Sequence, residues 1–255
     1  MFNTRKDIAA LVMEFLGSFT LMFLGAGAII HTAGGNLVAI ALAHGLAIGI
    51  MVAAGGHISG GVYNPAVAIG LMAGGKLPLP RGVAYIVAQL LGGTAAAALL
   101  KATLPTNLVD AVKLGATLPG PGITATQALV VEIVLTFFLM FVVFGAAVDK
   151  RGAGTIAPLM IGITIAIDIL MGGGISGASM NPSRSIGPMI VQGVWQDAWV
   201  YFVGPIAGAL LAALLYTFLM IDNPTDPEVV AVDAPQPTRD PVARPAARSG
   251  RSARR

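Results

Sequence analysis

The chain has 255 residues, of which 56% are hydrophobic and only 11% are charged, and its mean hydropathy is +0.82. Soluble domains carry about 25% charged residues. With less than half that share of charged residues, this chain cannot cover a water-facing surface of its size. The composition therefore excludes an ordinary soluble enzyme. The sequence has no cysteine, so disulfides, thiolate metal sites and a cysteine nucleophile are excluded as well. The composition predicts an all-α membrane protein that crosses the bilayer several times.

Six apolar stretches approach the length of about 20 residues that a membrane-crossing helix requires. Two further apolar segments have about ten residues, and as helices they would reach half way through a hydrocarbon core of about 30 Å. The predicted spans are residues 8–30, 37–55, 82–103, 125–148, 156–172 and 198–221, and the half-spans are residues 65–73 and 182–191.

Basic residues between the spans set the orientation. Six spans place three of the connecting or terminal regions on one face, and their basic residues are Arg5, Lys6, Lys76, Arg81, Lys150 and Arg151. The opposite face carries Lys101, Lys113 and Arg184. The positive-inside rule therefore predicts that both termini are cytoplasmic. No small-residue cleavage site follows the first apolar run, so we expect no removable signal peptide. The pattern suits the inner membrane of a bacterial cell.

The last part of the chain differs in composition from the rest. Residues 222–255 contain six Arg, five acidic residues and six Pro, without apolar periodicity. This composition is typical of a disordered basic tail. Such a tail can bind anionic lipid, but we favour a solvated one. We therefore expect a single transmembrane domain over residues 1–221.

The sequence repeats itself at offsets of 116 to 118 residues. The matched pairs are Glu14 and Glu132, Gly45 and Gly162, Ser59 and Ser176, Asn64 and Asn181, and Tyr85 and Tyr201. The repeats cover about residues 8–103 and 125–221, each with three spans and a half-span between its second and third. Because three is odd, the second repeat is inverted in the membrane, and the two half-spans enter from opposite faces.

Each half-span begins with Asn-Pro, at Asn64-Pro65 and Asn181-Pro182. Asn is a favoured N-cap and Pro a favoured first helical residue, so we expect both half-helices to start there, near the midplane. The Gly- and Ser-rich residues 55–61 and 172–177 precede the half-helices, and we expect them to be non-helical. Non-helical backbone is tolerated inside the membrane only where it lines water or is buried in protein. Two positive helix ends at the midplane repel cations. The pattern favours a narrow polar path for a neutral molecule that donates and accepts hydrogen bonds.

These motifs resemble those of the aquaporin family over about residues 8–221. The resemblance rests on the boxes Asn64-Pro65-Ala66 and Asn181-Pro182-Ser183, on His57-Ile58-Ser59-Gly60 before the first box and on Arg184 after the second. It implies a passive channel for water and small uncharged solutes that excludes protons and ions, embedded in membrane lipid as a homotetramer with one pore per protomer. The second box ends in Ser183 instead of Ala, and we expect its hydroxyl to bond to nearby backbone.

The resemblance also implies a constriction on the outer side of the membrane. Counting from the boxes places it at His44, Ile169, Ala178 and Arg184. Water-only members usually have an aromatic residue in the second span and His in the fifth, and glycerol-conducting members usually have two aromatic residues. This set instead looks most like the plant vacuolar-membrane subgroup, which passes water together with ammonia, and sometimes urea or peroxide.

Four other polar residues require an interpretation. The matched acids Glu14 and Glu132 are candidates for a proton relay, but the resemblance favours carboxylates that accept hydrogen bonds from the re-entrant loops. His57 is expected to hold the first re-entrant loop, with a pH gate as the alternative. Asp168 has no counterpart in the first repeat, and neither a water-facing nor an Arg-pairing role is assigned to it.

The sequence leaves rival functions open. A glycerol or small-polyol facilitator of the same family is the first alternative. A secondary active transporter would need a coupling acid or cation site beside the half-helix ends, and neither Asn-Pro segment contains an acid. A structural membrane protein without a pore would not need Asn64, Asn181 and Arg184. There is no metal cluster, cofactor site, nucleotide loop or nucleic-acid-binding motif, and we predict no catalysed reaction.

Overall fold

The computed structural model describes residues 4–221 of the chain. Helices, turns and loops make up this part, and it contains no strand. The helices are α1 (Arg5–His31), α2 (Leu37–Ser59), α3 (Pro65–Ala73), α4 (Leu79–Thr103), α5 (Thr106–Ala111), α6 (Ala125–Val143), α7 (Ala157–Gly172), α8 (Pro182–Gln192) and α9 (Val200–Leu219). A π-helical turn, Phe144–Val148, continues α6, and single 3-10 turns occupy Lys113–Gly115 and Gly154–Ile156. The predicted tail, 222–255, lies outside the described residues.

Six of these helices are long and apolar enough to cross a membrane, namely α1, α2, α4, α6 with its π-helical turn, α7 with the turn before it, and α9. They confirm the six predicted spans. The short helices α3 and α8 confirm the two half-spans, with α8 one residue longer than predicted. Helix α5 and the π-helical turn were not predicted, because neither has a distinct apolar period.

Glycines at matched positions bring the spans into close contact. A Cβ atom on Gly45 of α2 would lie 2.3 Å from the carbonyl oxygen of Gly162 on α7, and one on Gly162 would lie 2.6 Å from the carbonyl oxygen of Gly45. The two repeats therefore meet backbone to backbone where α2 crosses α7. Gly92 brings α4 against α1, and Gly208 brings α9 against α6, in the same way. Small residues at such positions allow the close helix packing that stabilises bundles in lipid.

The half-helices run in opposite directions from the middle of α4. The first turn of α8 packs on Gly93, in the middle of α4, and Lys101 Nζ at the end of α4 donates to a carbonyl oxygen of the last turn of α8 at 2.8 Å. The last turn of α3 reaches the other end of α4, where the sulfur of Met72 would lie 2.3 Å from a Cβ on Gly82. Their N-termini therefore meet between the two ends of α4, as the inverted repeat predicts.

The Gly-rich stretch before α3 is more helical than predicted. Helix α2 continues through Gly55 and Gly56 to Ser59 and ends at Gly60, whose φ is +95°. Each glycine costs a helix about 1 kcal/mol relative to alanine, but a Cβ on Gly55 would lie 2.0 Å from Met13 Cε. Close packing therefore requires glycine within the helix. The corresponding stretch after Gly172 is non-helical, as predicted.

The expected role of His57 is wrong. This residue lies on the last turn of α2 with its side chain exposed, and it makes no hydrogen bond to another described residue. The first re-entrant loop is held by other groups, described below.

A polar cluster closes the C-terminal end of the fourth span. Asp149 follows the π-helical turn and accepts hydrogen bonds from Arg151 Nη2 at 2.8 Å and from Tyr216 Oη of α9 at 3.2 Å. The Arg151 guanidinium also donates to the carbonyl oxygen of Met220. Hydrogen bonding to Arg151 lowers the pKa of Asp149 from 3.8 to about 2. The cluster joins the end of α6 to the end of α9.

Candidate functional site

One cavity runs past the point where the half-helices meet. The polar side chains in its wall are His44, Asn64, Ser179, Asn181 and Arg184. The apolar side chains include Val52, Val67, Leu71, Leu139, Val143, Ile161 and Ile165. The cavity therefore has polar groups at the helix junction and around Arg184, and an apolar wall elsewhere.

The cavity brings together residues that are far apart in the sequence. The four predicted constriction residues all line it, namely His44, Ile169, Ala178 and Arg184. Asn64 and Asn181 line it as well. The other box residues, Pro65, Ala66, Pro182 and Ser183, are buried behind the wall.

Each Asn side chain serves both half-helices. The Oδ1 atoms cap their own helices, Asn64 accepting from Ala66 N at 2.9 Å and Asn181 from Ser183 N at 3.0 Å. The Nδ2 atoms bond across the junction to the residue before the other box, Asn64 to Met180 O at 2.8 Å and Asn181 to Tyr63 O at 3.0 Å. Since an amide NH₂ group has two hydrogens, one donor of each Asn remains for a molecule in the cavity.

Glu14 is fully buried and holds the loop before α3. Its Oε1 accepts from Ser59 Oγ at 2.6 Å and from Val62 N at 3.1 Å, and its Oε2 accepts from Tyr63 N at 2.7 Å and from Gln89 Nε2 at 2.7 Å. Four donors thus converge on one carboxyl group, two of them backbone amides of the re-entrant loop.

Glu132 repeats this arrangement in the second half. Its Oε1 accepts from Ser176 Oγ at 2.7 Å and from Ser179 N at 2.8 Å, and its Oε2 accepts from Met180 N at 2.8 Å. The position of Gln89 corresponds to Pro205, which has no side-chain donor, so Glu132 receives three of the four bonds. Glu14 and Glu132 therefore accept hydrogen bonds from the backbone N–H groups of both re-entrant loops.

The loops are thereby held in a conformation that leaves carbonyl oxygens free. Tyr63 and Met180 have φ values of +48° and +52°, which residues other than glycine adopt rarely. The cavity wall between α2 and α3 consists of residues 60–62, and the wall before α8 includes Ala178 and Ser179. The carbonyl oxygens of these residues take no hydrogen bond from another described residue. They are acceptors available to a molecule in the cavity.

His44 is fixed in one tautomer at the predicted constriction. Its Nδ1 lies 2.8 Å from the carbonyl oxygen of Ile40, one turn earlier in α2. Because a carbonyl only accepts, Nδ1 carries the hydrogen, and Nε2 of the neutral ring is an acceptor. The ring packs on Gly25, where a Cβ would lie 2.4 Å from His44 Nε2, so the glycine makes room for it.

Arg184 is the cationic group of the cavity wall. It is 3% exposed, and its guanidinium donates no hydrogen bond to another described residue, with Nη1 buried and unpaired. An arginine at membrane depth requires acceptors or water. Its free donors, together with His44 Nε2, are the groups that a solute meets at the predicted constriction.

The expectation for Ser183 requires a correction. Its hydroxyl donates to the side-chain Oδ1 of Asn181 at 2.8 Å, rather than to backbone. The neighbouring hydroxyl of Ser18 lies 3.4 Å away and itself donates to Tyr63 O at 3.0 Å. The Ser that replaces Ala in the second box therefore adds a second donor to the cap of α8.

Several supporting residues were not predicted. Tyr85 Oη donates to Ser59 O at 2.9 Å, and Tyr201 Oη donates to Ser176 O at 2.8 Å. Both tyrosines and both serines belong to the sequence repeat, which was the signal that could have identified them. Gln89 has no counterpart in the repeat and gave no such signal.

This fold and this site define a multi-pass membrane channel. The sequence model of the family described as Major intrinsic protein matches residues 1–216. Aquaporin TIP4-4 of Zea mays is 43% identical over 225 residues, which cover 84% of this chain and 87% of that protein. Aquaporin NIP1-1 of Zea mays is 40% identical over 231 residues, covering 85% of this chain and 76% of that protein. An aquaglyceroporin structure from Plasmodium falciparum aligns with a TM-score of 0.74 at 30% identity, covering 83% of this chain and 96% of that one.

The chain belongs to the major intrinsic protein family, the aquaporins, and is a transmembrane transport protein. Its family identifies it as a channel rather than an enzyme.

Proposed function

We propose that the protein is a passive channel for water, with ammonia as the second permeant, and that it excludes protons and ions. The observation that supports this most directly is the meeting of two half-helix N-termini beside Asn64 and Asn181, both of which line the cavity. Each helix end carries about half a positive charge, and removing a cation from water at membrane depth is already costly. A neutral molecule pays neither cost.

The cavity wall supports the conduction of molecules that both donate and accept. Each Asn offers one N–H donor, and the carbonyl oxygens of residues 60–62 and 178–179 offer acceptors on either side of the junction. A water molecule there would accept from the Asn amides and turn its hydrogens outward in both directions. A chain of waters that conducts protons would need one orientation throughout, and the helix ends oppose it.

The constriction supports a solute range wider than water alone. Ile169 and Ala178 leave more room than His and Cys would, while His44 and Arg184 supply an acceptor, donors and positive charge. Ammonia has the donor and acceptor properties of water. A glycerol channel is not favoured, because the constriction lacks the aromatic pair that usually contacts the carbon backbone of a polyol.

We further propose that the chain forms a homotetramer in the inner membrane with both termini cytoplasmic. The orientation is supported by the basic loops, and the assembly by family membership. A cysteine placed at residue 4 should react with a membrane-impermeant thiol reagent only in inside-out vesicles.

The experiment that tests the function is stopped-flow light scattering of proteoliposomes under gradients of sorbitol, urea and glycerol, with ammonia uptake followed by an internal pH dye. We expect fast water and ammonia flux with slow glycerol flux. Protein-free liposomes provide the baseline. Fast glycerol flux combined with slow water flux would overturn the proposed order of solutes.

A further inference from the structure

Two exposed residues of opposite charge are bonded to the last turn of α8, at the end of the bundle opposite the N-terminus. Lys101 of α4 donates from Nζ to Val191 O at 2.8 Å, and Asp110 of α5 accepts from Gln192 Nε2 at 2.6 Å. Both charged residues are exposed, and within residues 4–221 neither of them forms an ion pair. An ammonium group has three donors and a carboxylate has about four acceptor sites, so each keeps most of its capacity for a ligand.

The last turn of α8 lies at the edge of the hydrocarbon core. Helix α8 begins after Asn181, where the two half-helices meet beside the middle of α4, and it ends eleven residues later at Gln192. At 1.5 Å per residue this end is about 17 Å from the meeting point. Half of a hydrocarbon core measures about 15 Å. Lys101 and Asp110 therefore lie at the depth of lipid headgroups.

Large apolar side chains are exposed beside these two charges. Ile190, in the same turn of α8, is 54% exposed, and Trp195, three residues after the helix ends, is 55% exposed. An indole ring suits the boundary between hydrocarbon and headgroups, because it is largely apolar and carries one N–H donor. A lipid with an acyl chain against Ile190 and its glycerol region against Trp195 would bring its headgroup to the charged pair.

The two charges select the class of headgroup. A zwitterionic phospholipid carries a phosphate next to an ammonium group, and these match Lys101 and Asp110 respectively. An anionic headgroup would be attracted by Lys101 but repelled by Asp110. Two neighbouring residues of this end of the bundle, Lys113 and Asp197, are again one of each sign, so they add no net attraction for an anionic lipid.

We propose that one zwitterionic phospholipid binds to each protomer at the end of α8, with its phosphate on Lys101, its ammonium group on Asp110 and an acyl chain against Ile190. The site shares no residue with the wall of the cavity. It differs from a general belt of lipid because it distinguishes between headgroups. The proposal depends neither on the solute that the cavity conducts nor on which side of the membrane the termini face.

Native mass spectrometry of the full chain in detergent tests the headgroup preference, with phosphatidylethanolamine and phosphatidylglycerol of identical acyl chains as probes. We expect phosphatidylethanolamine to bind more tightly. Lys101→Gln should weaken the binding of both lipids about tenfold, since both contain a phosphate, whereas Asp110→Asn should weaken only that of phosphatidylethanolamine. Lys113→Gln is the matched control, an exposed lysine at the same end, and should change neither. All three variants should keep the water flux of the unmodified chain.

Tryptophan fluorescence provides a second measurement in a bilayer, because the chain has only two tryptophans. In Trp199→Phe, Trp195 is the single fluorophore, and brominated acyl chains quench it on contact. In vesicles of equal parts of the two lipids, brominating the phosphatidylethanolamine should quench Trp195 more than brominating the phosphatidylglycerol, and Asp110→Asn should remove the difference.

The possible outcomes separate this site from the proposed function. Equal quenching by the two lipids in Trp199→Phe would overturn the proposal and show a belt of lipid without headgroup preference. Tighter binding of phosphatidylglycerol to the unmodified chain would overturn it as well. Absence of water flux in the unmodified chain would contradict the proposed function and leave the lipid result unaffected.

Discussion

Asn64 of the first half-helix donates to the carbonyl oxygen of Met180, the residue before the second half-helix, at 2.8 Å. The reciprocal bond from Asn181 to Tyr63 measures 3.0 Å. Each half of the molecule thus fixes the strained residue of the other, since Tyr63 and Met180 both have positive φ values. The width of the cavity at the junction depends on these two bonds.

We expect Asn64→Asp to destabilise the junction and to admit cations. A carboxylate cannot donate to Met180 O, and leaving that buried acceptor unpaired costs about 1–3 kcal/mol. Its negative charge would also offset the positive helix ends. Thermal unfolding in detergent and cation flux in liposomes measure the two effects. An unchanged melting temperature would show that the crossed bonds contribute nothing.

Ser183→Ala is the matched control for this change. It removes the hydroxyl bond to Asn181 Oδ1 but keeps the backbone bond from residue 183 to the same atom. We expect a loss of about 1 kcal/mol or less and unchanged water permeability.

The two possible roles of Glu132, support of the re-entrant loop and proton relay, predict different results for its substitution. In Glu132→Gln the new NH₂ group must face at least one of the three donors that now meet the carboxylate, from Ser176, Ser179 and Met180. Leaving buried donors unpaired costs about 1–3 kcal/mol each, so we expect a lower melting temperature and reduced water flux together. A relay predicts that water flux survives while only proton movement changes.

The sequence predicts the fold well because two independent signals agree. Apolar length identifies the spans, and the repeat identifies the inverted pairing and the two Asn-Pro starts. The prediction from sequence is wrong at residues 55–59. Helix propensity disfavours a helix there, whereas the close contact between Gly55 and Met13 favours one. Propensity is a local property, whereas that contact joins two different spans.

The site is predictable to a smaller extent. Ser59, Ser176, Tyr85 and Tyr201 are visible as repeated residues, but the direction of their hydrogen bonds depends on loop backbone that the sequence does not specify. The asymmetry at Gln89 cannot be inferred from a repeat, since the position of its counterpart is a proline. Asp168 lines a groove between α6 and α7, which becomes evident only when the two helices are packed together.

Lowering the pH should not loosen the contact between the ends of α6 and α9 until the conditions are strongly acidic. The pKa of Asp149 is depressed from 3.8 to about 2, so its contribution to stability is present above pH 3.8 and is lost as the pH falls towards 2. Arg151 is 55% exposed, so we expect Asp149→Asn to cost about 1 kcal/mol or less at neutral pH. Melting temperatures of the two proteins should differ at neutral pH and converge in strong acid. A difference that disappears near pH 6 would contradict the assignment.

Arg184 should control which molecules pass the constriction. Arg184→Val removes a buried positive charge and its free donors and leaves a wider, apolar gap beside Ile169 and Ala178. We expect proton or cation leak to rise at least about tenfold, which corresponds to a barrier lowered by about 1.4 kcal/mol, while water flux is maintained. Arg184→Lys keeps the charge but not the planar array of donors, and it should limit the leak while altering urea flux. Ion flux dyes and stopped-flow scattering on the same liposomes measure both quantities, and an unchanged permeability profile in Arg184→Val would show that the constriction lies elsewhere in the cavity.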